Sequence, residues 1–200
     1  MTMLDTHKEY EYTGQPLSFH RILKELLPPL VKILKDLDIC FWLDWGTLLG
    51  AVRNGKIIPW DFDIDLGIFN TDVEKLLRYK TEVNKAGYDF WTDDAGKCTR
   101  FFGKDGLDFH IDLFSWTKTK EQIYTVNYYN QIHTEDELLN PEQIEFEGAL
   151  YPCPKNPVEM RARFYGSDWK TQKATQGCID FIVEHDPNNI DVLNEAGKYI

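Results

Sequence analysis

Between residues 17 and 38 apolar positions recur at intervals of three and four. Ile22, Leu23, Leu26, Leu27, Leu30, Val31, Leu34 and Leu37 are interleaved with Lys24, Glu25, Lys32 and Lys35. That period predicts helix. Pro28 and Pro29 lack the amide hydrogen a helix interior uses, so two short helices are expected. Ile39 to Leu43 is an apolar run that reads as a strand, and a short helix entered through Gly46 is expected over 46–53. Period two then takes over: Phe62, Ile64, Leu66 and Ile68 alternate with Asp61, Asp63, Asp65 and Gly67. This predicts a strand with an apolar face and an acidic face. Thr71 and Glu74 form a capping box for a helix carrying Val73, Leu76, Leu77 and Val83 and stopping near Gly87.

A second acidic strand is expected in Leu107-Asp108-Phe109-His110-Ile111-Asp112-Leu113, where the odd positions are apolar. Residues 123–150 are mixed, with a short helix near Glu135 to Leu139. Asn156 as N-cap, Pro157 in the first turn and Glu159 predict a further helix that Gly166 ends; residues 170–200 are weakly patterned. The order is helix, strand, helix, acidic strand, helix, acidic strand, then helices. It fits an α/β or α+β fold with carboxylates projecting from one face of a sheet. No repeat, low-complexity segment or linker interrupts the 200 residues, so one domain over 1–200 is expected.

Charge and cysteine content narrow the partners. The net charge of −11 and the absence of any Lys/Arg run make nucleic acid a poor partner, although a bound cation would invert the local sign for a small anion. No apolar stretch approaches the length of a membrane span, and Met1 to Gly14 has no apolar signal-peptide core. Cys40, Cys98, Cys153 and Cys178 are isolated, which reads as four reduced thiols in a cytoplasmic protein.

On a strand, Asp63 and Asp65 point the same way, roughly 6 to 7 Å apart. If the strand carrying Asp112 lies beside them, three carboxylates converge. Hard oxygen ligands in that number suit Mg²⁺ or Mn²⁺. The helix after Gly46 offers its first amides and its dipole to an anion, and Thr47 adds a hydroxyl. Arg53 and Lys56 follow as candidate phosphate contacts, with Arg53 capable of bidentate contact. The implied chemistry is transfer of a phosphorus-centred group from a nucleotide-activated donor. Any one feature alone reads as structure: a solvated acidic strand face, a simple helix start, a satisfied strand histidine at His110. Their ordered combination is what points to a site.

That combination resembles the nucleotidyltransferase superfold shared with DNA polymerase β. More narrowly, Leu43-Asp44-Trp45-Gly46-Thr47-Leu48-Leu49-Gly50-Ala51-Val52-Arg53 with Ile57-Ile58-Pro59-Trp60-Asp61-Phe62-Asp63-Ile64-Asp65 resembles the LicD family of bacterial phosphocholine transferases and fukutin-type ribitol-phosphate transferases. His110-Ile111-Asp112-Leu113-Phe114 falls where that family places its third acid. Phe146-Glu147-Gly148, Tyr151-Pro152-Cys153-Pro154 and Phe164-Tyr165-Gly166-Ser167-Asp168-Trp169 resemble its C-terminal element. The resemblance covers about residues 20–170 and implies a small mixed sheet flanked by helices.

It further implies a phosphotransferase moving a phospho-alcohol unit from a CDP-linked donor to a glycan hydroxyl. Asp63 and Asp65 would be metal ligands, Asp112 a ligand or general base, and Asp61 a second-tier ligand; Asp108 and His110 are further candidates for the base. Gly46, Thr47, Arg53 and Lys56 would hold the donor's phosphates, and Trp60 would orient the acidic strand. Phe62 stands where many members have Asp, an aromatic also found in fukutin-related members, and alternation turns it to the core. Trp45 replaces a small residue and reads either as a platform for a base or as core filler. The membrane anchor and stem of the eukaryotic members are not predicted here. The acceptor is expected to meet residues 120–150. Two rivals remain: a nucleotidyltransferase attaching an NMP to a small hydroxylated acceptor, and an inactive binding module.

Overall fold

The computed structural model describes residues 17–103, 106, 108–120, 123–125, 132–171 and 173–197. The N-terminal tail, Leu107 and most of 121–131 lie outside the described residues.

The first helix, α1 (His20–Asp36), runs continuously through Pro28 and Pro29 and is not two helices. An interior proline costs about 3 kcal/mol. Leu23, Leu26, Leu27, Leu30 and Leu34 all lie on its buried side. Each buried leucine contributes roughly 1.5 to 3 kcal/mol, so packing outweighs the local penalty.

Strand β1 (Phe41–Leu43) and helix α2 (Trp45–Asn54) follow, close to where the pattern puts them. Strand β2 (Ile64–Phe69) begins later than expected, so Asp61 and Asp63 lie in the turn before it. The expected helix over 71–87 is two, α3 (Asn70–Arg78) and α4 (Lys80–Lys85). The capping box is not formed, because α3 starts at Asn70 and Thr71 is already inside its first turn. Phe69 takes the cap position while completing β2 opposite Trp116.

Strands β3 (Tyr88–Thr92) and β4 (Cys98–Gly103) form a hairpin the sequence reading passed over. Strand β5 (His110–Lys118) starts later and runs further than expected. Two short strands, β6 (Ile123–Thr125) and β7 (Ile132–Thr134), extend its far end before α5 (Glu135–Leu139), where a helix is expected. A separate hairpin, β8 (Glu142–Phe146) with β9 (Ala149–Cys153), fills the stretch read as mixed. Helix α6 (Pro157–Tyr165) starts and stops as expected, but Asn156 enters it at φ 54 without a side-chain cap bond. The weakly patterned end holds α7 (Gln176–His185), capped by Thr175, and α8 (Ile190–Gly197).

The main sheet has the order β1-β2-β5-β4-β3. The β2–β5 pair is parallel and the other pairs are antiparallel, so this is the small mixed sheet expected. One face carries Ile64, Leu66, Ile68, Phe90, Phe101, Ile111 and Leu113, covered by α1, α3 and α4. The opposite face is divided. At one end Trp42, Trp45, Trp116, Tyr124 and Leu138 form a second core with Phe69 and Phe114; at the other end lie the acids.

Trp42 rests on Gly67 so closely that a Cβ there would fall inside the indole ring. Gly67→Ala must displace a buried tryptophan, so a cost of about 2 to 3 kcal/mol is expected. Urea unfolding would measure it. A change below about 0.5 kcal/mol would show that Trp42 has room to move.

Candidate active site

Register brings the acids together. Asp65 on β2 lies directly opposite Asp112 on β5. Asp112 is opposite Arg100 on β4, and Arg100 is opposite Trp91 on β3. Opposed residues in a ladder project to the same face, so Asp65, Asp112, Arg100 and Trp91 form one transverse row. Asp63 joins from the preceding turn, which the Asp61 N–H closes onto the Ile58 carbonyl at 2.9 Å. His20, on α1, donates from Nε2 to the Asp61 carbonyl at 2.7 Å and fixes that turn from below. Phe62 stacks on Phe181 of α7 at 4.4 Å, so it packs partly buried as expected, against a helix the pattern barely marked.

The start of α2 closes the other side. Buried Asp44 caps it, Oδ1 accepting from the Trp45 N–H at 3.0 Å and Oδ2 from Trp116 Nε1 at 2.8 Å. Trp45 has φ 39, a conformation that costs a non-glycine residue roughly 1 to 2 kcal/mol. Packing against Phe114 and Trp116, and a 3.0 Å bond from buried Arg161 to its carbonyl, hold it there. Of its two expected roles, Trp45 is therefore core filler. The Gly46 N–H donates to Asp65 Oδ2 at 3.2 Å, and the Asp65 N–H donates to Thr47 Oγ1 at 2.8 Å. The anion at this helix start is Asp65 itself, and buried Thr47 is a latch between α2 and β2. A Cβ on Gly46 would sit 2.9 Å from Asp61 Oδ2, so glycine is what lets that carboxylate approach.

Crowded carboxylates in a partly dry site resist ionisation. Burial, then the charge of Asp63, pushes Asp61 up to about 8, against the pull of Arg53. Burial, then Asp112, pushes Asp63 up to about 7, against Arg100. Asp65 is raised well above the carboxylate range by burial and by Asp63, Asp112, Asp61 and Asp44. Arg100 answers part of this charge, with Nε 3.0 Å from Asp112 Oδ1 and a second guanidinium nitrogen 3.5 Å from Oδ2. His110 Nε2 lies 3.6 Å from the same Oδ1. One ligand atom each from Asp63, His110 and Asp112 lie within 4.8 Å of one another. Such a donor set fits a divalent cation, with Asp65 alongside, and a cation would relieve the repulsion.

The other expected phosphate contacts are placed differently. Arg53 lies at the far end of α2 and donates to the carbonyls of Trp169 and, at 2.9 Å, of Thr171. It ties α2 to the chain beyond α6 while its charge still reaches Asp61. Lys56 is exposed in the turn after α2, beside Gly50. Trp60 is buried and donates to the Lys173 carbonyl at 3.2 Å, which anchors the approach to the acidic turn. Asp108 is exposed at the bend before β5.

The sequence reading missed Arg100, Trp91, Asp44 and Cys98. The signal for the first two was an unread alternation over 88–92 and 98–103. Cys98 faces the site two residues before Arg100, and burial, then Asp112, pushes its thiol up.

Comparison with known proteins agrees with this architecture. The family model described as LicD/FKTN/FKRP, nucleotidyltransferase domain, matches residues 38–156. Ribitol 5-phosphate transferase FKRP of Mus musculus is 28% identical over 158 residues, covering 74% of this chain and 32% of that protein. Ribitol-5-phosphate transferase FKTN of Homo sapiens is 28% identical over 194 residues, covering 94% of this chain and 42% of that protein. Uncharacterized protein RP689 of Rickettsia prowazekii (strain Madrid E) is 31% identical over 149 residues, covering 74% and 50%. The chain thus spans a third to a half of the length of these relatives. Among solved structures, the antibiotic-resistance factor ANT(2'')-Ia aligns at TM-score 0.49 and 14% identity, over 90% of this chain and 92% of that one. A likeness that slight carries no chemical comparison.

Proposed function

The chain belongs to the LicD/FKTN/FKRP family of nucleotidyltransferase domains, and from that premise we propose a metal-dependent transferase that moves a phospho-alcohol unit from a CDP-activated donor to a glycan hydroxyl. The transferred unit would be phosphocholine, ribitol phosphate or a relative. The observation that carries the reading is the direct pairing of Asp65 with Asp112, with Asp63 and His110 gathered beside them at the start of α2.

In this reading the acceptor oxygen forms a bond to the phosphorus bearing the alcohol. The bridging P–O bond to the cytidine-bearing phosphate breaks, and CMP leaves with the electron pair. The hydroxyl proton passes to Asp112. Asp63, Asp65, Asp112 and His110 would hold Mg²⁺ or Mn²⁺, with Asp61 as a reserve carboxylate; bound there, the cation would stabilise charge on the transferring phosphoryl group. Gly46 admits Asp61 and donates to Asp65, so it shapes the acid cluster, while Thr47 fixes α2 against β2. Trp60 and Arg53 act from behind by bracing the acidic turn and α2.

Among the described residues no helix is long and apolar enough to cross a membrane. All four cysteines are free thiols, and the cytoplasmic setting is proposed from their isolated spacing in the sequence.

The test is a screen of CDP-choline, CDP-ribitol and CDP-glycerol with Mg²⁺ or Mn²⁺ and mixed glycan acceptors, read by CMP release. Turnover of at least one donor is expected. If none turns over and none protects against heat, the reading fails. Pyrophosphate release from an NTP would replace it with nucleotidyl transfer. Unchanged behaviour of Asp63→Asn, with no metal binding, would leave only a binding module.

A further inference from the structure

The row across the sheet does not end at the acids. Beyond Asp112 it continues through Arg100 to Trp91, a residue 46% exposed on β3, the last strand in the order. A single exposed aromatic is ordinary. This one is tied to the site. Arg100 bonds Asp112 and lies over the Trp91 ring, 5.8 Å from its centroid, so the platform and the acid share one guanidinium. Phe90, the neighbour of Trp91 on the same strand, turns to the opposite face and is buried against Phe101. That packing fixes which way the strand presents Trp91.

Direction then selects the occupant. Strands lie about 4.8 Å apart, which puts Trp91 about 10 Å from Asp112 and about 15 Å from Asp65. In-line displacement at phosphorus needs the attacking and leaving oxygens on opposite sides. Asp112, which takes the acceptor's proton in the reading above, is the acid nearest Arg100 and Trp91, so the nucleophile comes from the β4–β3 end. We propose that Trp91 and Arg100 form the acceptor subsite of the transferase reading above, on which it rests. A sugar ring packs its apolar C–H face on the Trp91 indole, and Arg100 donates to the ring's hydroxyl oxygens. Among the described residues no strand pairs beyond β3, so a longer glycan continues past the sheet edge. This moves the acceptor away from residues 120–150.

The experiment uses the full chain with Mg²⁺ present. It probes an array of immobilised neutral mono- to tetrasaccharides ending in hexose, N-acetylhexosamine or pentose, and measures CDP affinity by calorimetry in parallel. Trp91→Ala is expected to lose at least tenfold in glycan signal and Trp91→Phe to keep it, with CDP affinity within twofold for both. Because Trp91 is half exposed, melting temperature should hold in both variants. Glycan binding that survives Trp91→Ala, or no glycan bound by the wild type, overturns the subsite. A tenfold loss of CDP affinity in Trp91→Ala also overturns it, by assigning the platform to the nucleotide. Failure of the CMP-release screen with Trp91-dependent glycan binding intact would sink the transfer reading alone.

Discussion

Asp65→Asn is expected to move activity and stability in opposite directions. The substitution keeps the shape and an oxygen for the Gly46 amide but removes one of the charges facing the proposed cation. Loss of several kcal/mol of charge stabilisation means a fall in CMP release on the order of 10³-fold, at about 1.4 kcal/mol per tenfold. In the metal-free protein the same change removes a carboxylate that burial and four acidic neighbours hold well above its ordinary range. Folding the wild type near neutral pH requires either taking up a proton there or keeping the charge against that repulsion. The variant should therefore melt several degrees higher in EDTA at pH 7.5. A lower melting temperature would show that the carboxylates are not in unrelieved repulsion. Unchanged turnover would remove Asp65 from the chemistry.

Much of this site is legible in the sequence because its key distance is a matter of register. Alternation places Asp65 and Asp112 on equivalent faces of their strands, and a parallel β2–β5 pair then needs only the right offset to set them opposite each other. The pattern fails where tertiary packing overrides local preference. Pro28 and Pro29 read as a break, yet five leucines on one side of α1 keep it whole. Asp63 reads as a strand residue, yet the bond from the Asp61 N–H to the Ile58 carbonyl turns the chain just before β2 and still delivers it. Arg53 reads as a phosphate ligand because an arginine follows a helix start. Its guanidinium instead donates to carbonyls more than a hundred residues away in the chain, a partner no local spacing encodes. Arg100 was invisible for a related reason: its meaning lies across the hairpin, in Trp91 on one side and Asp112 on the other.

Removing the divalent cation is expected to make stability fall with rising pH, against the usual behaviour of carboxylates. Asp61, near 8, and Asp63, near 7, are raised above the unfolded value of about 3.9. Groups raised in this way contribute stability that is present below the unfolded value and lost as pH climbs through the folded one. His20 works the other way. Burial lowers it below 6.5, so its neutral folded form favours stability as pH rises towards 6.5 and masks the acids below that point. The fall is therefore clearest between about pH 6.5 and 8. One net proton over that interval amounts to about 2 kcal/mol, or about 4 to 8 °C in melting temperature for a chain of this length. Mg²⁺ or Mn²⁺ should flatten the slope, because the cation binds the ionised carboxylates and competes with their protons. Melting curves in EDTA and in excess Mg²⁺ across that range measure both effects. A flat profile in EDTA would mean the acids are already relieved by the protein, and a slope untouched by Mg²⁺ or Mn²⁺ would mean that Asp63, His110 and Asp112 do not hold the cation.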